Sequence, residues 1–135
     1  MEYVLKIGTN HEIEIIEMPK DRDFKWYSRQ IGCDWIEIVH PRYFNYPLIV
    51  DEEGKLKPNR MNVIASAMYG TWLYPSVEHG EPIVGDVLVV NEGLVDGEPD
   101  IIGFTLHQAK NIKERLEKEK NGSVKFKALI NGVMI

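Results

Sequence analysis

Apolar and polar residues alternate at the start of the chain. Tyr3, Leu5 and Ile7 form one alternating set, and Ile13 and Ile15 alternate with Glu12 and Glu14 beyond Gly8-Thr9-Asn10. A period of two on both sides of a turn predicts a β-hairpin made of segments 2–7 and 12–18. The period then changes. Phe24, Tyr27 and Ile31 recur at i, i+3 and i+7, with Asp21-Arg22-Asp23 ahead of them and Gly32 behind. That pattern predicts a helix ending near Ile31, where the glycine can take a left-handed conformation, and leaves Trp26 off the buried stripe.

Alternation returns over 34–40, where Ile36 and Ile38 oppose Glu37, and again over 47–51. Glu52-Glu53-Gly54 followed by Lys55-Leu56-Lys57 then reads as a hairpin turn, with Gly54 as its expected positive-φ residue. Asn62 is placed to cap a short helix over 63–69 that is hydrophobic all round and therefore expected to be buried. Residues 71–82 contain Trp72, Tyr74, Pro75, Gly80 and Pro82 and read as an irregular loop of a length often associated with function. Two strands are expected at 84–91 and 99–104, joined by an acidic turn over 92–98.

Thr105 and Gln108 have capping-box spacing, and Leu106, Ala109, Ile112 and Leu116 form the stripe of the clearest helix, with Asn121-Gly122 as its stop. A last strand is expected over 123–135. Strand pairs joined by short turns, with helices interspersed singly, predict one α+β domain: a mainly antiparallel sheet with about three helices covering one face.

Composition restricts this picture further. The 135 residues suit a single core, and 44% hydrophobic with 27% charged residues describes an ordinary globular chain. Cys33 is the only cysteine, which rules out an internal disulfide and favours a cytoplasmic setting. The opening residues mix five charges, from Glu2 to Glu17, into their apolar positions, so neither a signal peptide nor a membrane helix is expected there.

A net charge of −5 argues against general nucleic-acid binding, yet the charge is unevenly spread. Residues 1–109 hold 9 Lys/Arg against 18 Asp/Glu, while 110–127 hold 7 against 3. The basic stripe is a candidate lure for an anion, or simply a solvated helix face.

Signals for catalysis are weak. The four histidines never fall at i, i+4, so no metal site is expected. Asp96-Gly97-Glu98-Pro99-Asp100 has the acids of half a calcium loop but lacks the later glutamate, and reads as a surface turn. Ser76, Glu78 and His79 lie too close in sequence to converge as a triad, and no glycine-rich phosphate loop is present. The chain is therefore expected to be non-enzymatic, without cofactor.

What remains suits binding. The rings of Tyr69 and Trp72, with Arg42, Asn59, Arg60 and Asn62 nearby in sequence, combine stacking faces with anion-gripping donors. Such a set fits a nucleotide-like ligand, with Lys110 or Lys113 of a neighbouring chain contributing in an expected homo-oligomer. It fits a protein interface equally well, and core packing accounts for many of the rings.

The runs IGCDWIEIVHPR, PLIVDEEGKLK, NRMNVIASAMYG and PIVGDVLVV, spread over about residues 31–105, resemble the domain of unknown function 3846 family. Its most characteristic pieces are the acidic turn at 51–54 followed by a leucine, the Asn62 that opens an alanine-rich helix, and the Gly85-Asp86 strand. Lys57-Pro58-Asn59-Arg60 departs from the family's small-residue connection, and the segment 71–81 is longer. The resemblance implies a phage or mobile-element setting and no established activity.

The expected function is accordingly a non-enzymatic accessory protein that binds a small anionic ligand, such as a nucleotide immune signal sequestered in counter-defence. The alternative is an acidic protein-interaction inhibitor of a host effector or nucleic-acid enzyme.

Overall fold

In chain order the elements are β1 (Glu2–Ile7), β2 (Ile13–Met18), α1 (Phe24–Ile31), β3 (Ile36–Val39), β4 (Leu48–Asp51), α2 (Val63–Tyr69), β5 (Val87–Val89), β6 (Asn91–Val95), β7 (Glu98–Ile102) and α3 (Leu106–Gly122). They come from a computed structural model that describes residues 1–41, 44–54, 60–69 and 83–122. The second arm of the hairpin expected at 55–57, the loop at 71–82 and the strand at 123–135 lie outside the described residues.

β1 to β5 form one antiparallel sheet in the order β2-β1-β5-β4-β3, and β6 with β7 forms a separate two-stranded hairpin. The fold is α+β, as the alternation of periods indicated. β5 lies at the centre, and its run Val87-Leu88-Val89-Val90 is completely buried. A continuous apolar run of this kind needs cover on both faces, because successive side chains point to opposite sides.

The helices are therefore divided between the faces rather than gathered on one. Leu5, Ile7, Leu48, Val50, Val87 and Val89 meet Ile64, Ala65 and Met68 of α2 and Ala109, Ile112 and Leu116 of α3. On the other face, Val4, Ile49, Leu88 and Val90 meet Tyr27 and Ile31 of α1, with Ile101 of the hairpin against them.

Local signals set several boundaries. Asp23 caps α1 by accepting from the Trp26 amide at 3.1 Å, and Gly32 ends the helix at φ 68°. Its buried residues are Tyr27, Ser28 and Ile31, with Trp26 partly buried against the same cluster and Phe24 40% exposed, so the stripe is rotated from the expected one. The tie between Thr105 and Gln108 is reciprocal: the Thr105 amide donates to Oε1 at 2.9 Å and the Gln108 amide to Oγ1 at 3.1 Å.

Two turn assignments change. Residues 92–98 are mostly strand, and the turn is only Asp96-Gly97, both at positive φ, as a two-residue hairpin turn demands. Gly54 has no positive φ; a Cβ there would sit 2.9 Å from Val84 Cγ2, so close packing is what favours glycine.

Candidate functional site

Asn62 precedes α2 and is completely buried. Its Oδ1 accepts from the Ala65 amide at 3.1 Å, and its Nδ2 donates to the carbonyls of Ile7 and Gly85, each at 2.9 Å. Every polar atom of the side chain is thereby engaged within the fold, so Asn62 acts as a cap and core clamp, not as the ligand contact expected from sequence.

Arg60, two residues earlier, is exposed. Its carbonyl accepts from the Gly85 amide at 2.9 Å, and it lines a hollow of about 320 Å³ with Thr9, Ile31, Gly32, Asp51, Gly85 and Asp86. Asp86 accepts from the Thr9 amide at 3.0 Å and faces Lys6 Nζ at 3.6 Å. Two carboxylates beside one guanidinium weaken the hollow as an anion site.

The remaining expected contacts do not assemble here. Neither Lys110, exposed on α3, nor half-buried Lys113 lines this hollow, and Arg42, Asn59, Trp72 and the ring of Tyr69 lie outside the described residues. Three other cations of α3 have nearby carboxylates on the same helix: Arg115 with Glu119 at 3.9 Å, Lys118 with Glu114 at 3.3 Å and Lys120 with Glu117 at 3.2 Å. Among the described residues, three of the five cations of α3 are thus paired within the helix.

A second region lies on the α1 side of the sheet, around α1, β3 and the β6–β7 hairpin. A cleft of about 520 Å³ runs between Phe24 and Tyr27 of α1, Ile36 of β3 and Val95, Ile101 and Ile102 of the hairpin. Arg22 closes one end. Its Nε donates to Tyr27 Oη at 2.9 Å, Nη1 to Glu2 Oε2 at 3.3 Å and the Pro19 carbonyl at 3.2 Å, and Nη2 to the Ile101 carbonyl at 3.3 Å.

These contacts leave their mark on the ionisation of both partners. Burial works to lower the Arg22 value, but the Tyr27 hydrogen bond and the nearby Glu2 and Asp100 prevail, and it lies above the ordinary one. Burial raises the Tyr27 hydroxyl against the opposing effect of Arg22. The pair is a structural joint between α1, β1 and β7.

Around this cleft the surface is apolar with mixed charge: Lys20 lines the cleft, and Lys25 and Arg29 of α1 share a hollow with Trp35. Trp35 is 57% exposed and its ring lies 5.8 Å from that of Phe24; Leu94 is 74% exposed, and Ile38 and Val95 about two-fifths. His40 Nε2 contacts Glu92 Oε1, tying the end of β3 to the start of β6. Segments 34–40 and 91–102 together hold six carboxylates and no lysine or arginine. Asp34, Glu37, Glu92, Asp96, Glu98 and Asp100 are all exposed.

The sequence alone places these residues on a strand face and in an acidic turn without bringing them together. The available signals were the Asp-Gly pair, which places Leu94 and Val95 in a strand, and the absence of basic residues from both segments.

Comparison with known proteins adds a family. The family model described as Domain of unknown function (DUF3846) matches residues 1–117. No curated protein and no solved structure matches the chain. Among the described residues, no helix is long and apolar enough to cross a membrane.

Proposed function

This chain belongs to the DUF3846 family, and we propose that it works without catalysis, by binding another protein through the acidic, partly apolar surface of β3 and the β6–β7 hairpin. The observation that carries this reading is the exposure of Trp35, Ile38, Leu94 and Val95 among six carboxylates with no lysine or arginine in the same two segments. Val95 shares the cleft with Ile36 and Phe24, and the Phe24 ring neighbours Trp35; exposed apolar side chains of this kind mark interaction sites, and tryptophan is prominent among residues that dominate binding energy. The surrounding carboxylates select a basic partner and speed its approach. In the phage or mobile-element setting implied by the family resemblance, such a face would occupy the basic surface of a host effector or nucleic-acid enzyme.

The test is capture from host lysate with the tagged chain, treated with nuclease, beside the double variant Trp35→Ala, Leu94→Ala. Expected is a protein retained by the wild-type chain, released by added salt and absent with the folded variant. Equal retention by both chains would overturn the proposal.

The small-anion reading keeps one favourable observation, the exposed Arg60 at its hollow. A ligand present at a hundred times its dissociation constant stabilises a protein by about 2.7 kcal/mol, so a thermal-shift panel of nucleotides would reveal it. A shift lost in Arg60→Ala would favour this second reading.

A further inference from the structure

The direction of the β3 backbone adds a mode of binding to the reading just given, on which it rests. The Glu52 amide donates to the Trp35 carbonyl at 3.0 Å, and the β3–β4 register pairs Ile36 with Asp51 and Ile38 with Ile49. In an antiparallel pair, hydrogen-bonded and non-hydrogen-bonded positions alternate. Trp35, Glu37 and Val39 therefore turn their peptide groups toward β4, and Ile36 and Ile38 turn theirs away from it. β3 ends the strand order, so among the described residues that outward side is a sheet edge.

Edges are commonly protected by short length, charged side chains, proline or a bulge, and four-residue β3 with Glu37 has the first two. Segment 34–40 contains no lysine or proline, and it presents Trp35 and Ile38 as exposed apolar anchors beside Asp34 and Glu37. At the other edge of the sheet, β2 has Ile13 and Met18 buried and Ile15 and Ile16 half-buried. A second copy of the chain is a poor occupant of the β3 edge, because antiparallel self-pairing would set acidic segments against each other.

We infer that the edge of β3 takes up an extended basic segment of the partner protein, which adds a strand through the peptide groups of Ile36 and Ile38. Main-chain hydrogen bonds would supply the pairing, and its lysines or arginines would meet the carboxylates of the two acidic segments.

The probe is a short synthetic peptide alternating lysine and valine, compared with the same peptide N-methylated at alternate residues, which removes the donors of one edge. Amide exchange is followed on the whole chain by NMR. Expected is rapid exchange of the Ile36 and Ile38 amides in the free protein, slowed about tenfold by the unmodified peptide but not by the methylated one. The Glu37 and Val39 amides, already turned toward β4, should change little.

Ile38→Pro should abolish the effect while leaving the β3–β4 bonds intact, since the lost N–H points outward. If that variant fails to fold, the methylated peptide still decides. Protection of Ile36 and Ile38 in the free chain, absence of peptide binding, or binding without added protection there would overturn strand addition. Partner capture that remains sensitive to Trp35 and Leu94 would in that event leave the broader reading standing; loss of both results would remove both.

Discussion

The side-chain amide of Asn62 donates to the carbonyl of Ile7 at 2.9 Å, joining the start of α2 to the end of β1 across fifty-five positions of sequence. The same nitrogen holds the Gly85 carbonyl, and Oδ1 caps the helix through Ala65. Losing a cap alone costs about 1 kcal/mol. Asn62→Ala also removes a donor from two carbonyls in a dry site, so a total near 3 kcal/mol is expected. Asn62→Asp should be worse, because it retains the cap but sets a carboxylate against those carbonyls. Urea midpoints measure both; a loss of only a cap's worth in Asn62→Ala would show that the two long-range bonds contribute little.

This clamp also marks the boundary of what sequence could reveal. The capping role of Asn62 was legible because it acts three residues away, as were the Asp23 cap and the Thr105–Gln108 box. Its bonds to Ile7 and Gly85 depend on β5 inserting beside β1, and no local period encodes that pairing. The covered second face was implicit in the apolar run at 87–90, but which element covered it was not. Arg60 was identified without Asp51 and Asp86, which arrive from other segments. The exposed Trp35 was legible only as a member of an alternating strand, because the hairpin that frames its face is distant in sequence.

Gly103 separates steric from conformational reasons for glycine. A Cβ there would lie 2.6 Å from Met18 Sδ, 2.8 Å from Glu2 Cβ and 2.9 Å from the Tyr3 amide nitrogen. The last is backbone and is held in the Tyr3–Phe104 bridge, whose two bonds are 2.9 and 2.7 Å. Gly103→Ala should therefore cost about 2 to 3 kcal/mol, the range of an overpacked core. Gly97 has φ +81° but open space around it, so Gly97→Ala should lose about 1 kcal/mol through backbone strain alone. Thermal melts of the two variants, with exchange at Tyr3 and Phe104, distinguish these causes; equal losses would contradict the steric account.

His11 predicts a pH dependence. Its Nδ1 is buried and finds no hydrogen-bond partner among the described residues, and the Lys120 ammonium donates to its carbonyl at 3.0 Å. Burial first, and Lys120 second, lower its pKa below the ordinary 6.5. The unfolded chain then binds the proton more readily, so this contribution to stability is present above 6.5 and is lost as pH falls through the folded value. His11→Asn removes the titration and tolerates the native φ of 72°, because asparagine accepts that region. Urea midpoints at about pH 7.5 and 5.5 should differ less in the variant than in the parent. Unchanged pH dependence would exclude His11 as its source.

Arg22 provides the last test, one of shape rather than charge. Its guanidinium reaches Tyr27, Glu2, Pro19 and Ile101 in different directions, while the other Glu2 oxygen accepts from the Gly103 amide at 2.8 Å. A lysine concentrates its donors on one atom and cannot span that set. Arg22→Lys, although it preserves the charge, should thus lose about 1 to 2 kcal/mol, the scale of a charge-assisted hydrogen bond. Arg22→Met should lose more, since the buried Tyr27 hydroxyl and the half-exposed Glu2 would both lose their cation. The Tyr27 hydroxyl gives an independent readout. Burial already raises it and Arg22 opposes that rise, so removing Arg22 should move its titration to still higher pH. A raised phenol contributes stability below its unfolded value and loses that contribution as pH climbs above about 10. The tyrosine ring signals followed by NMR in Arg22→Met would show the displacement. A Tyr27 titration that stays in place, together with full stability in Arg22→Lys, would mean that the fork is incidental to the joint between α1, β1 and β7.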